Sequence, residues 1–134
     1  NWDAFIRHPN VSVSDPVYGD DLWRTLRRYR VQLNLMRIHN EDSHNMRSFE
    51  VPGIGGIMLT PDTTEHRMFF EDKKEVFLFN SLLNCIEMIE YILNLSEYDA
   101  RQIRENARLR SVLSGYSYKD RATFVIDTLR KHYG

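Results

Sequence analysis

The chain has 134 residues, enough for one domain with its own core and too few for two. Its 18 basic and 19 acidic side chains leave a net charge of −1, so the basic excess of a nucleic-acid-binding domain is missing. Cys85 is the single cysteine, which excludes an internal disulfide and a cysteine-rich zinc site and fits a reducing compartment.

No apolar run approaches membrane-spanning length, and no signal peptide is visible. The opening Asn1-Trp2-Asp3, without an initiator methionine, predicts a piece of something longer. Val11–Ser14 is a candidate strand, and Asp15–Gly19 a turn. Asp20 can cap a helix with Leu22, Trp23 and Leu26 inward. Val31–Leu35 alternates apolar and polar residues and reads as a strand. A polar loop from Met36 to Asp42 leads to a short helix bearing Arg47 and Glu50, which Pro52 should kink or end.

Ile57–Thr60 is the next strand. Asp62 has capping-box spacing to Glu65 and opens a helix through Phe70. Val76–Phe79, apolar throughout, suits a sheet covered on both faces. Three helical patterns follow: Leu82, Cys85/Ile86, Ile89 and Leu93; then Ala100, Ile103 and Ala107 after Ser96; then Tyr118, Ala122, Val125 and Leu129 after Ser117. Strand–helix alternation with short connections gives an α/β fold: a Rossmann-like, mostly parallel sheet of about four strands with a C-terminal helical tail, over one domain, residues 1–134.

Chemistry concentrates between Asp42 and Thr60. Ser43, His44 and Asn45 sit where the helix should begin, with Ser43 as its N-cap, and amides there favour an anion. His44 can donate to a phosphate or a sugar, or stand as an exposed loop histidine. Arg47 and Glu50, three residues apart, can pair on the helix surface; Glu50 could instead accept hydrogen bonds from sugar hydroxyls. Gly53, Gly55 and Gly56 read as a tight helix-to-strand turn that brings the helix close to the sheet, with ligand contact secondary. His39, Glu41, Asp42 and His44 are dense in metal-ligand chemistry, but their spacing matches no helical zinc pair and no metal site is expected. Arg24, Arg27, Arg28 and Arg30 beside Trp23 read as a solvated helix face, or as a peripheral contact with anionic lipid. Arg121 can contact a partner domain, or pair with Asp120 or Asp127.

Arg47-Ser48-Phe49-Glu50 followed by Pro52-Gly53-Ile54-Gly55-Gly56 resembles the C-terminal domain of group-1-like (GT-B) glycosyltransferases, in the branch of CgeB-like spore-maturation proteins. Val17-Tyr18-Gly19, Glu65-His66 with Phe70, and Tyr118 to Arg121 extend the similarity over residues 8–133. The resemblance implies a donor site for a nucleotide-sugar, no further cofactor, and an acceptor such as a glycan held by a separate N-terminal domain. It implies Glu50 as the acid that meets the ribose and Asp42, eight residues earlier, as an acid near the donor sugar; the usual Glu at that first position is here shortened to Asp. It also suggests retention of anomeric configuration and a cytoplasmic location, with the inner membrane face as an option. Complete domains of this kind have about six strands, so the first two are missing from the predicted set. Two other readings stand beside it: a non-catalytic binding or scaffolding module, and a receiver- or flavodoxin-like domain, for which Val11–Pro16 lacks the ligand loop.

Overall fold

A computed structural model describes residues 6–40 and 42–133. Three strands form one parallel sheet in the order β1-β2-β3: β1 is Gln32–Leu33, β2 is Met58–Pro61 and β3 is Phe77–Phe79. Gln32 lies opposite Met58, and Leu59 opposite Phe77. The helices are α1 (Gly19–Arg28), α2 (Arg47–Gly53), α3 (Thr64–Phe69), α4 (Leu82–Leu93), α5 (Glu97–Leu113) and α6 (Tyr118–Tyr133).

Two-residue alternation along β2 and β3 splits the core between the two sheet faces. Ile57, Leu59 and Phe77 join Cys85 and Ile92 of α4 and Ala100 and Ile103 of α5. Met58, Val76 and Leu78 join Val51 of α2 and Phe70, with Leu26, Phe49, Phe69 and Tyr116 packed alongside. Both faces are covered, as the unbroken apolar run of Val76–Phe79 requires.

Several expected elements come out differently. The described residues hold three strands rather than four, because Val11–Ser14 is exposed coil. Its alternation has no neighbouring strand to pair with, and Val13 is 64% exposed. β1 inverts its pattern: Gln32 and Asn34 are buried, while Leu33 and Leu35 are exposed. The amide of Gln32 donates to the carbonyls of Leu26 and Tyr29, closing the end of α1, so burial there satisfies backbone acceptors. In α4 the buried residues are Cys85 and Ile92, with Met88 and Ile89 alongside; Leu82, Ile86 and Leu93 face outward. α6 begins after the expected Ser117 cap, yet Tyr118, Ala122, Val125 and Leu129 are all exposed, since no described element lies across that stripe.

The glycine turn between α2 and β2 is as tight as its composition suggests. Pro52 sits inside the last turn of α2, which ends one residue later. Gly55 has φ +74°, a conformation that disfavours a side chain, and a Cβ there would lie 3.6 Å from the Arg104 carbonyl of α5. A Cβ on Gly56 would lie 2.8 Å from Gln32 Oε1 and 2.9 Å from a Val51 methyl, both inside the core. Gly56→Ala is therefore expected to cost about 1–3 kcal/mol by overpacking. Gly53→Ala meets nothing within 4 Å and has no positive φ, so it should be neutral or stabilise by up to about 1 kcal/mol. Denaturant midpoints of the two variants check both; equal midpoints would show that the turn tolerates bulk.

Candidate functional site

Residues 42–50 are held by side chains rather than by regular structure. Ser43 does not cap α2, which starts at Arg47. Asn45 does: its Oδ1 accepts from the Ser48 amide at 3.2 Å, and Ser48 Oγ accepts from the Asn45 amide at 3.2 Å. This reciprocal pair is the logic of a capping box with Asn and Ser in the two places. The amides of Ser48, Phe49 and Glu50 also have backbone acceptors in Asn45 and Met46, so the helix start offers fewer free N–H groups than expected. The turn before the helix consumes them.

Asp42 accepts from the Thr64 amide at 2.6 Å and so docks on the first turn of α3. That bond holds its carboxyl below the usual range. Asp62 is not the α3 cap; Thr63 is, accepting from the His66 amide at 3.0 Å, while Asp62 pairs with Arg67. Ser43 donates to Glu65 at 2.9 Å, and its carbonyl accepts from Thr63 Oγ1 at 3.0 Å. His44 Nδ1 meets the same Glu65 oxygen. The hydrogen bonds from His44 and then Ser43 lower the pKa of Glu65.

Beneath this loop lies a buried polar network. His66 is fully buried, with Nδ1 at 2.9 Å from the Pro61 carbonyl and Nε2 at 2.8 Å from Ser48 Oγ. A carbonyl only accepts, so Nδ1 carries the proton and Nε2 accepts from the Ser48 hydroxyl. Asn34 Nδ2 lies 3.3 Å from both Ser48 Oγ and Thr60 Oγ1, and Asn34 Oδ1 accepts from Asn45 Nδ2 at 2.9 Å. One set of hydrogen bonds thus ties β1, β2, α2 and α3 together at the carboxyl ends of the strands, where open α/β sheets bind ligands.

Above the network opens a cavity of about 660 Å³. The loop and α2 contribute His44, Asn45, Met46, Phe49 and Glu50; α1 contributes Trp23; Tyr116, Tyr118 and Arg121 close the far side. Phe49 is packed edge-on against His44, Phe69 and Tyr116, with ring centroids 5.0–5.3 Å apart. Trp23, expected in the core, is half-buried at this cavity. Arg47 lies 3.2 Å from Glu50, whose side chain is 22% exposed, without the alignment of a hydrogen bond. The Arg121 side chain makes no hydrogen bond or ion pair among the described residues: the Asp120 carboxylate accepts from the amide and hydroxyl of Ser117, the cap of α6, and Asp127 lies near Arg130.

Of the residues singled out in the sequence, the cavity gathers His44, Asn45, Glu50, Arg121 and Trp23, with Arg47 beside Glu50. It does not gather Asp42, Ser43 or Gly53. Asp42 and Ser43 are turned toward α3, and the Gly53 carbonyl accepts from Arg108. Glu41 lies outside the described residues. Among those described, no three His, Cys, Asp or Glu side chains converge as a metal set would. Arg30 leaves the supposed basic face: it donates to the Leu95 and Ile92 carbonyls at the end of α4 and pairs with Glu97. No described helix is long and apolar enough to cross a membrane.

Sequence reasoning gave no site role to Asn34, Ser48, His66 or Tyr116, although Ser48 and His66 stand within the stretches that carry the family resemblance. The available signal was the cluster of small polar residues at strand ends, which in a parallel sheet points toward the ligand edge.

Burial of His66 lowers its pKa, so acidification must charge a desolvated ring. The unfolded chain then binds the proton first, and stability is lost as pH falls below the ordinary value of 6.5. The lowered Glu65 and Asp42 act the same way only below 4.5 and 3.8. Thermal melting should therefore fall between pH 7.5 and 5.5 in the native chain, and less in His66→Gln. An equal drop in both would remove His66 from the account. Ser48→Ala leaves His66 Nε2 and Asn34 short of a partner and should cost about 1–3 kcal/mol in denaturant unfolding.

No curated protein and no solved structure matches this chain. The model of the family described as glycosyl transferase-like matches residues 1–127, nearly the whole sequence around this cavity. The chain belongs to the glycosyl transferase-like family.

Proposed function

We propose that the chain is the donor-binding domain of a GT-B glycosyltransferase of the CgeB-like branch, and that its ligand is a nucleotide-sugar. The observation that carries this reading is the cavity itself, which sets a carboxylate, a guanidinium without an ion pair among the described residues and several aromatic rings around one space. Each part suits a different piece of a nucleoside diphosphate sugar. Glu50 accepts hydrogen bonds from the ribose hydroxyls, as an acceptor-only carboxylate does. Trp23, Tyr116 and Tyr118 offer apolar faces for the base.

Arg121 provides positive charge for the diphosphate, and Arg47 orients Glu50 from outside the cavity. Charge develops on the diphosphate as the glycosidic bond to it breaks, so a fixed cation there favours the transition state over the ground state. His44 and Asn45 face the ligand from the loop, while Asp42, Ser43 and Gly53 support the wall from behind. A second domain across the cleft presents the acceptor, with glycan as the expected class. No resident cofactor or metal enters this scheme, and the work is placed in the cytoplasm.

Amide NMR spectra recorded during titration with UDP, GDP, UDP-glucose and GDP-mannose test the reading. Saturable shifts are expected at Asn45 to Glu50 and at Arg121, with Glu50→Ala weakening binding at least about tenfold while its spectrum stays dispersed. Silence with every probe, for this chain and for the chain joined to its acceptor domain, would leave a non-catalytic module instead.

A further inference from the structure

His44 is the cavity residue whose state the protein itself fixes. Its Nδ1 meets Glu65 Oε2, and a carboxylate only accepts, so Nδ1 carries a proton. Glu65 is in turn steadied by the Ser43 hydroxyl at 2.9 Å and sits in the first turn of α3. The imidazole ring is clamped between Phe49 and Phe69, at centroid distances of 5.1 and 5.2 Å and nearly perpendicular to both. Nε2 makes no hydrogen bond among the described residues and is not buried, and the residue lines the cavity. The ring therefore has one nitrogen committed to the protein and the other without a protein partner among the described residues.

We propose that Glu65 is a positioning residue that locks His44 as the Nδ1–H tautomer, so that Nε2 presents a lone pair to a hydroxyl on the sugar part of the donor. This rests on the nucleotide-sugar reading of the cavity and adds to it the feature that separates sugar from bare nucleotide. A lone pair attracts a hydroxyl and does nothing for a phosphate oxygen, so the contact discriminates by chemistry. A ring held by a carboxylate, with its tautomer fixed by that partner, follows the same logic that orients histidines in catalytic triads.

Two variants and one spectrum test this. Glu65→Gln still accepts from Nδ1–H, whereas Glu65→Ala leaves the ring free to change tautomer. For Glu65→Ala, affinity for UDP-glucose or GDP-mannose should fall about tenfold while that for UDP or GDP stays within about twofold; Glu65→Gln should restore most of the loss. Equal losses with and without the sugar would make Glu65 a structural residue only and overturn the proposal. Ring nitrogen-15 spectra of the ligand-free chain, at a pH where His44 is neutral, should show the proton on Nδ1. A proton on Nε2 would overturn the dyad even if nucleotides bind, leaving the donor reading intact. Absence of binding by all four probes would sink the donor reading and the sugar contact with it.

Discussion

The hydroxyl of Ser48 is the point on which the rest of the site depends. It is fully buried, donates to His66, and accepts from Asn34 and from the Asn45 amide. Burying so many polar groups is tolerable only when each has a partner, because an orphan in this environment costs more than a bond gains. The network is therefore close to all-or-none. Its completion fixes α2 against the sheet in one rotation, which in turn sets Asn45 and Glu50 on the cavity side and Val51 in the core.

The glycine turn supplies the second constraint, and it acts on distance where the network acts on rotation. A helix of seven residues has little stability of its own, and α2 contains a proline. Packing must hold it in place. Gly56 lets the backbone after α2 approach Gln32 and Val51, and Gly55 allows the same chain to pass beneath α5. Without those two residues the helix would stand farther from β2, and Ser48 would no longer reach His66 and Asn34 together. Sequence features that look separate, a glycine cluster and a polar strand end, thus serve one contact surface.

Much of the fold was legible because its periodicities had real surfaces to act on. β2, β3 and α5 carry apolar patterns that the sheet and its neighbours bury, and Ser96 caps α5 through Asp99 as the spacing indicates. Where pattern failed, the missing ingredient was tertiary. α6 has a helical stripe with nothing across it, and β1 buries its polar residues because a helix end and a network require their amides. Periodicity reports that a face exists, not what meets it. The caps of α2 and α3 were misplaced for a related reason: several Ser, Thr, Asn and Asp residues stand near each helix start, and local spacing does not rank them.

The same distinction separates Asp42 from Glu50. Both acids were singled out together by the family resemblance, which implies two acids eight residues apart, yet the fold turns them in different directions. Glu50 lies within a helix whose rotation is fixed, so its direction follows from that of Ser48 two positions earlier. Asp42 lies in a loop, where its direction is free until something captures it, and the exposed amides of α3 do so. The shorter side chain fits that capture, since the Thr64 amide is within direct reach. Asp42 then acts on the cavity through α3: it holds the helix that carries Glu65, which holds His44 at the cavity wall. An acid displaced from the cavity can in this way still govern the side chains that line it.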